Sequence, residues 1–317
     1  MPPVTTAVDR PSSPLGIVRD FTRDLRDFVA LAKPRITAMV VATSFGGYKL
    51  AEHHAPGTVD GSLPSTNATT LAMLLVGAAS IVSGANALNM WIERDIDGHM
   101  RRTQNRPLPT GRMAPKTALV FGLALTIFSI PILAIGTNLV TALLGVLAHL
   151  LYVCAYTPMK QKSHWALFVG AVPGAIPPLM GWTAATARVD AGGLALFAIL
   201  FWWQIPHFLA IALFRRKDYA DAGLKVMPNV AGEPATWRAI LNFTGALVAS
   251  TLLLFPLGVA GRGYLVAAGL LGAAFCAVAT WGFTAENSEI ATKRSRWLFA
   301  YSIVYLVALF VAIALGA

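Results

Sequence analysis

Between Thr69 and Asp97 the chain reads TTLAMLLVGAASIVSGANALNMWIERDID. From Leu71 to Ile92 no side chain is charged, and then Glu93, Arg94, Asp95 and Asp97 arrive together. A helix needs about 20 mainly apolar residues to cross the hydrocarbon of a bilayer, so this stretch is predicted to be a membrane span whose last turns carry acids. Asn89, Glu93 and Asp97 recur at four-residue spacing, an offset of about 40° per step, so three oxygen-bearing side chains stack on one helical face. Two carboxylates held that close repel each other in a partly buried site unless a cation or a bound partner offsets them. Magnesium suits such a set, because it takes hard oxygen ligands and usually combines one or two carboxylates with substrate phosphates and water. Asp95 points elsewhere, toward Arg94 or Arg102 as a partner. Taken alone, the spacing equally fits a solvated helix end whose acids merely offset nearby arginines.

The rest of the chain has the same character. Of 317 residues, 56% are AVILMFWYC and 13% are charged, about half the charged quarter of a soluble domain, and the mean hydropathy is +0.62. These values exclude a soluble domain and a disordered chain. Apolar runs centred near residues 43, 80, 126, 148, 175, 204, 250, 274 and 306 predict an all-α polytopic membrane protein with nine transmembrane helices in a single bundle over residues 36–317. Under that count the N-terminal segment and the loops after even-numbered spans hold 22 of the 25 Lys and Arg, leaving Lys49, Arg188 and Arg262 for the other side. The positive-inside rule then makes the N-terminus and those loops cytoplasmic. The net charge of +10 is accounted for by this placement, and no nucleic acid is expected as a partner.

Residues 1–15, with Pro2, Pro3, Pro11 and Pro14, are predicted to be disordered. Within residues 16–35, Val18, Phe21, Leu25 and Phe28 alternate with arginines and aspartates, which predicts an amphipathic helix lying at the cytoplasmic interface; a solvated linker is the alternative. The first apolar run starts only near Ile36, and acids stand among the N-terminal arginines. Neither a cleavable signal peptide nor a transit peptide is expected, and a bacterial inner membrane is the predicted location. Cys154 and Cys276 lie in separate apolar runs without metal-ligand spacing and read as core fillers.

A second acid stretch follows the sixth span: Phe214-Arg215-Arg216-Lys217-Asp218-Tyr219-Ala220-Asp221-Ala222-Gly223-Leu224-Lys225. Asp218 and Asp221 are three residues apart, again on one helical face. Both acid stretches follow even-numbered spans and so fall on one side of the membrane. Together they suggest two half-sites around a magnesium-bridged diphosphate, with Arg101, Arg102, Arg106, Lys160, Arg215 or Lys225 supplying positive charge. Deeper in the membrane, Gln204 and His207 share a face next to Pro206, and Pro173, Pro177 and Pro178 interrupt the fifth span. Polar groups and freed backbone at that depth need partners or a cavity, so both breaks are candidates for lining a substrate chamber. His207 taken alone fits a hydrogen-bonded structural histidine as well, and His149 is left without a role.

Taken together, these residues resemble the UbiA-type intramembrane prenyltransferases. The series Asn89 to Asp97, Met100, Arg102-Thr103, Arg106-Pro107-Leu108-Pro109, Tyr156-Thr157-Pro158, Pro173-Gly174, Pro177-Pro178, Gly181-Trp182, Trp203-Gln204, Pro206-His207-Phe208, Asp218-Tyr219 and Ala222-Gly223 is similar to the heme-farnesylating branch, in order from about Lys33 to Pro228. The resemblance implies transfer of farnesyl from farnesyl diphosphate to a vinyl group of heme B with addition of water, giving heme O. It implies Mg2+ at Asn89, Glu93, Asp97, Asp218 and Asp221. Diphosphate contacts are implied for Arg101, Arg102, Arg106, Tyr156, Lys160, Arg215 and Lys225, a substrate contact for Gln204, and orientation of heme or proton acceptance for His207. Handover to a heme A synthase or a terminal oxidase is the implied partnership. The chain departs from the pattern at Met90 and Lys225, where acids are common, and at Gln161 and Ala166, where the branch carries Arg and Asn. Prenylation of an aromatic acid or quinone precursor is the alternative within the superfamily. A secondary transporter is an alternative outside it, although acids at helix ends rather than at the midplane count against one; a nonenzymatic scaffold leaves the paired acid faces unexplained.

Overall fold

The computed structural model describes residues 24–54, 67–100 and 103–316, among which the regular structure is entirely helical. A short helix α1 (Asp24–Ala32) leads into α2 (Pro34–His54), followed by α3 (Ala68–Asp97), α4 (Pro115–Gly136) and α5 (Leu139–Leu150). The chain continues from α5 through a π-helical turn, Leu151–Tyr156, into α6 (Thr157–Met159). Then come α7 (Ala166–Thr186), α8 (Ala191–Phe214), the short α9 (Arg216–Asp221) and α10 (Met227–Val230), and finally α11 (Glu233–Leu252), α12 (Arg262–Phe283) and α13 (Ser288–Gly316). Seven segments are long and apolar enough to cross a membrane: α3, α4, the α5–α6 run, α7, α8, α12 and α13; α1 and α2, meeting at 47°, make an eighth as a bent pair.

Residues 1–15 and the first half of the expected interfacial helix lie outside the described residues. Its second half is α1, which turns Asp27, Phe28 and Leu31 to the protein and leaves Leu25 and Val29 exposed. The run centred near residue 250 differs from expectation. Its helix, α11, ends at Leu252, because Pro256 and a left-handed Gly258 (φ 71°) turn the chain before α12, and its first half carries Glu233, Thr236, Arg238 and Asn242.

Lipid tails are as apolar as the helices, so association within a bilayer depends on close packing by small residues. The α2–α7 seam is built that way. Gly47 lies against the Pro178 carbonyl and Gly181 against the Ser44 carbonyl, so close that neither position admits a Cβ. Held by this seam, α7 continues through Pro173, Pro177 and Pro178 as one helix, and α8 likewise continues through Pro206. Helix α8 packs against α7, α11 and α13 and is tied to α7 by Gln204. Its amide nitrogen donates to the Ala171 carbonyl at 3.1 Å and to the Leu200 carbonyl at 3.0 Å. Elsewhere in the bundle, Leu31, Met90, Leu108 and Met113 form a small buried cluster that docks α1 and the 103–114 loop on α3.

Candidate active site

The acid face of α3 is buried: Asn89, Glu93 and Asp97 are 2%, 6% and 3% exposed. Each meets a partner from a different element. Lys33 Nζ donates to Asn89 Oδ1 at 2.6 Å, and Asn89 Nδ2 donates to Thr157 Oγ1 at 3.1 Å. Lys160 Nζ donates to Glu93 Oε1 at 3.1 Å, and Arg106 Nη1 to Asp97 Oδ2 at 2.6 Å. Thr103 Oγ1 donates to the Asp97 carbonyl at 2.8 Å. The ionic pairs are charge-assisted bonds, stronger than neutral ones. Glu93, Asp97, Arg106, Lys160, Gln161 and Leu224 line one cavity of about 20 Å³. The start of α2, the end of α3, the end of α6 and the residues after α9 therefore share one end of the bundle.

Local backbone geometry makes these meetings occur. A π-helical turn fits an extra residue into the helix and re-aims the residues beyond it. Thr157, the first of these, donates back to the Tyr152 carbonyl at 2.8 Å while accepting from Asn89. The Tyr156 ring lies over Gly170, where a Cβ would strike it. Lys33 occupies the break between α1 and α2 with a left-handed φ of 48°. Helix α1 is clamped there by Arg112, whose Nε donates to both Asp27 oxygens at 3.2 Å; Arg112 Nη2 donates to Asp27 Oδ1 and to the Asn105 carbonyl at 3.1 Å. Phe28 packs on Phe121, ring centres 5.1 Å apart. Desolvation, and next the Arg106 guanidinium, push the Lys33 ammonium down to about 7 against the opposing pull of Glu93.

The second acid stretch stands apart from this group. Asp218 and Asp221 on α9 are exposed, as is Lys225, and Arg215 Nη1 donates to Asp218 Oδ2 at 3.0 Å. Leu224, buried, is the residue that carries this stretch to the cavity. Among the described residues, no three of His, Cys, Asp and Glu gather as a metal site. The structure brings Asn89, Glu93 and Asp97 together with Arg106 and Lys160, and leaves Asp218, Asp221, Arg215 and Lys225 outside that group. Arg101 and Arg102 fall outside the described residues. Asp95 lies 3.7 Å from Arg94, one of its two expected partners. Met90, the departure beside the motif asparagine, packs into the cluster with Leu31 and Leu108 rather than joining the acid group. The donors Asn89, Glu93 and Asp97 are all hard oxygens, a set that fits magnesium completed by phosphate oxygens and water.

Deeper in the bundle, His207 Nδ1 lies 2.7 Å from Ser302 Oγ, and its ring stacks on Trp203 and packs against Phe299. Ser302 Oγ donates to the Phe299 carbonyl at 2.6 Å. With its one hydrogen so used, the serine accepts from His207 Nδ1, and Nε2 is left as the basic nitrogen. Gln204 spends its amide donors on the Ala171 and Leu200 carbonyls. His149, buried with Nδ1 3.5 Å from the Ile81 carbonyl, belongs to the α3–α5 interface. Lys33, Thr103 and Thr157 are the site neighbours given no role by the sequence, although Thr103 and Thr157 stand in the motif series. The Lys33-Pro34 pair at the head of the first apolar run was the one sequence sign of the first.

The model of the UbiA prenyltransferase family matches residues 40–303. A protoheme IX farnesyltransferase of Anaeromyxobacter sp. (strain Fw109-5) is 50% identical over 293 residues, 92% of this chain and 94% of the relative. Among solved structures, digeranylgeranylglyceryl phosphate synthase superposes with a TM-score of 0.76 at 15% identity, covering 92% of this chain and 99% of that one. A UbiA homolog from Archaeoglobus fulgidus, bound to GPP and Mg2+, gives 0.60 at 15% identity, covering 89% and 99%. The two structures speak to the fold, and the close relative to the branch. Identity at that level over nine-tenths of both chains is decisive: the chain belongs to the UbiA prenyltransferase family, in its protoheme IX farnesyltransferase branch.

Proposed function

We propose that the chain transfers the farnesyl group of farnesyl diphosphate to a vinyl group of heme B, with addition of water, giving heme O and diphosphate. One observation carries this reading. Glu93 and Asp97 gather with Arg106 and Lys160 at one end of an apolar bundle, in a chain half identical to a protoheme IX farnesyltransferase.

Breaking the allylic carbon–oxygen bond leaves negative charge on diphosphate and positive charge on farnesyl. Asn89, Glu93, Asp97, Asp218 and Asp221 are the residues that would hold magnesium, which when bound would supply electrostatic stabilisation to the departing diphosphate. Arg106 and Lys160 hand their donors to phosphate oxygens, and Arg101, Arg102, Arg215, Lys225 and the Tyr156 ring edge add further contacts. Phe168, Trp202 and Phe243, whose rings bridge α7, α8 and α11 at 5.3 and 5.6 Å, offer an apolar wall that keeps bulk water from the allylic cation. The vinyl carbon attacks that cation, and water adds to the carbon left electron-poor. His207 Nε2 accepts the proton that the adding water loses, while Ser302 and Trp203 hold the ring. Gln204 serves by fixing α8 to α7 beside it.

We read α2 and α11 as spans beside the seven, nine in all, with the N-terminus and the acid-bearing ends in the cytoplasm of a bacterial inner membrane. The concentration of 22 of 25 Lys and Arg on that side supports the orientation. Product passes to a heme A synthase or a terminal oxidase. The test is incubation of purified protein with heme B, farnesyl diphosphate and magnesium, with and without EDTA, followed by mass spectrometry of the heme. A magnesium-dependent gain of farnesyl plus water is expected. Unchanged heme, with prenylation of an aromatic acid or quinone precursor instead, overturns the reading.

A further inference from the structure

Lys33 lies outside both acid stretches, yet its ammonium ends 2.6 Å from the Asn89 side-chain oxygen. That placement is costly in three ways. A φ of 48° is rare for a residue with a long side chain, and such backbone strain costs of order 1–3 kcal/mol. Pro34, next in the chain, narrows the choices of Lys33 further. The ammonium, in a half-buried residue, makes no ion pair among the described residues, and the partner it does reach is a neutral amide. The charged groups around it are Arg106 and Lys160, which oppose its charge, and Glu93 and Asp97, which favour it.

A tie between α2 and α3 needs no more than a short polar side chain, so the reach of a lysine calls for a different reason. Lys33, Arg106 and Lys160 come from three separate segments and converge on one acid face, at 2.6 Å from Asn89, 2.6 Å from Asp97 and 3.1 Å from Glu93. Three N–H donor groups gathered at one end of the bundle suit the several oxygens of a diphosphate ester. We propose that Lys33 is a diphosphate-binding residue, turned onto the phosphate oxygens beside Asn89 by the break between α1 and α2 and held there by the Asp27–Arg112 clamp. This rests on the prenyl diphosphate reading above, but not on heme as the acceptor.

Two variants of the full-length protein test it. Lys33→Gln keeps an amide donor for Asn89 and removes the charge. Lys33→Asn accepts a left-handed φ more readily than lysine and is too short to reach the site. The first measurement is the rise in unfolding midpoint caused by magnesium with inorganic pyrophosphate, which requires no turnover. The second is KM for farnesyl diphosphate beside KM for heme B. In both variants the pyrophosphate-induced rise should shrink, and KM for farnesyl diphosphate should increase about tenfold or more, the scale of one lost charge-assisted hydrogen bond. KM for heme B should stay within about twofold, and unliganded Lys33→Asn should unfold no earlier than wild type, since strain is relieved. A wild-type pyrophosphate response and a wild-type KM for farnesyl diphosphate in Lys33→Gln, or in Lys33→Asn if the first does not fold, overturn the proposal and leave Lys33 a structural tether. A response lost in the variants of a protein that does not modify heme upholds Lys33 and refutes the heme reading alone. A wild type that does not respond to pyrophosphate refutes both.

Discussion

Replacing Asp97 by Asn keeps the shape of the side chain and removes one charge from a pair whose carboxylate is 4% exposed and whose guanidinium is 24% exposed. Two losses result, and they are separable. Removing one partner of a buried pair costs about 3–5 kcal/mol when the other stays buried. Arg106 recovers part of this through water and through the amide oxygen of the new side chain, which brings the expected loss of stability to about 2–3 kcal/mol. The Thr103 bond goes to the backbone carbonyl of residue 97, so the loop beyond α3 keeps that anchor. The catalytic loss is the charge that would face the cation of the leaving group, and turnover should fall by about 10² or more, at least ~2.7 kcal/mol of transition-state stabilisation. Glu93→Gln should behave alike, with Lys160 left as the unpaired cation. The assay is heme product by mass spectrometry, per unit of monodisperse protein at limiting magnesium, beside the unfolding midpoint of each variant. Stability changes the fraction folded, which stays near one below the midpoint, whereas a lost ligand lowers the rate of every folded molecule. Wild-type turnover in both variants at limiting magnesium would refute the metal-site assignment and reduce the two ion pairs to structural ones.

Asp218→Asn and Asp221→Asn change exposed side chains, so stability should stay within about 0.5 kcal/mol of wild type while turnover falls and the magnesium requirement rises; unchanged magnesium titrations would remove both from the ligand set. Arg112→Ala leaves the buried Asp27 without its partner and should cost about 2–4 kcal/mol by thermal unfolding, with KM for farnesyl diphosphate rising as the α1 clamp opens. Gly181→Ala drives a Cβ into the Ser44 carbonyl, a backbone atom that cannot step aside, and should destabilise by about 2 kcal/mol or more. Gly245→Ala, which meets nothing within 4 Å, should be neutral or slightly stabilising; equal effects at both glycines would argue against the tight α2–α7 seam.

Features that lie within one helix were legible in the sequence. Apolar runs located the long helices because burial in lipid leaves a signal in composition, and the four-residue spacing of Asn89, Glu93 and Asp97 was enough to put them on one face. The exception among the long helices, α11, shows the limit of that signal. Its polar first half and the Pro256–Gly258 turn shift the helix toward the N-terminus of the apolar run that suggested it. Partnerships between helices were less accessible. Gln204 looked like a chamber residue because polarity inside a membrane span calls for a partner, but the sequence could not say that the partner is the Ala171 carbonyl. Met90 looked like a missing acid, although the helix turns that position into the Leu31–Leu108 cluster. Spacing within α9 correctly put Asp218 and Asp221 in one short helix, yet held no information about their distance from Glu93.

The cations explain why the site depends on so much of the fold. The three acid-face residues come from one helix, and such a stack repels itself if left alone. Its three cationic partners come from three separate places: Lys33 from the α1–α2 break, Arg106 from the loop before α4, and Lys160 from beyond the π-helical turn. None reaches α3 unless its own segment is docked. Lys33 needs α1 held by Arg112, Arg106 needs the cluster around Leu108, and Lys160 needs the turn that places Thr157 on Asn89. The acid face is thus neutralised only in the assembled bundle, which couples formation of the site to packing of helices that never touch substrate. If these cations hold the diphosphate as proposed, damage to the α1 clamp should therefore appear first as weaker binding of it, while damage confined to the His207–Ser302 pair should spare that binding and lower the rate of the proposed proton transfer.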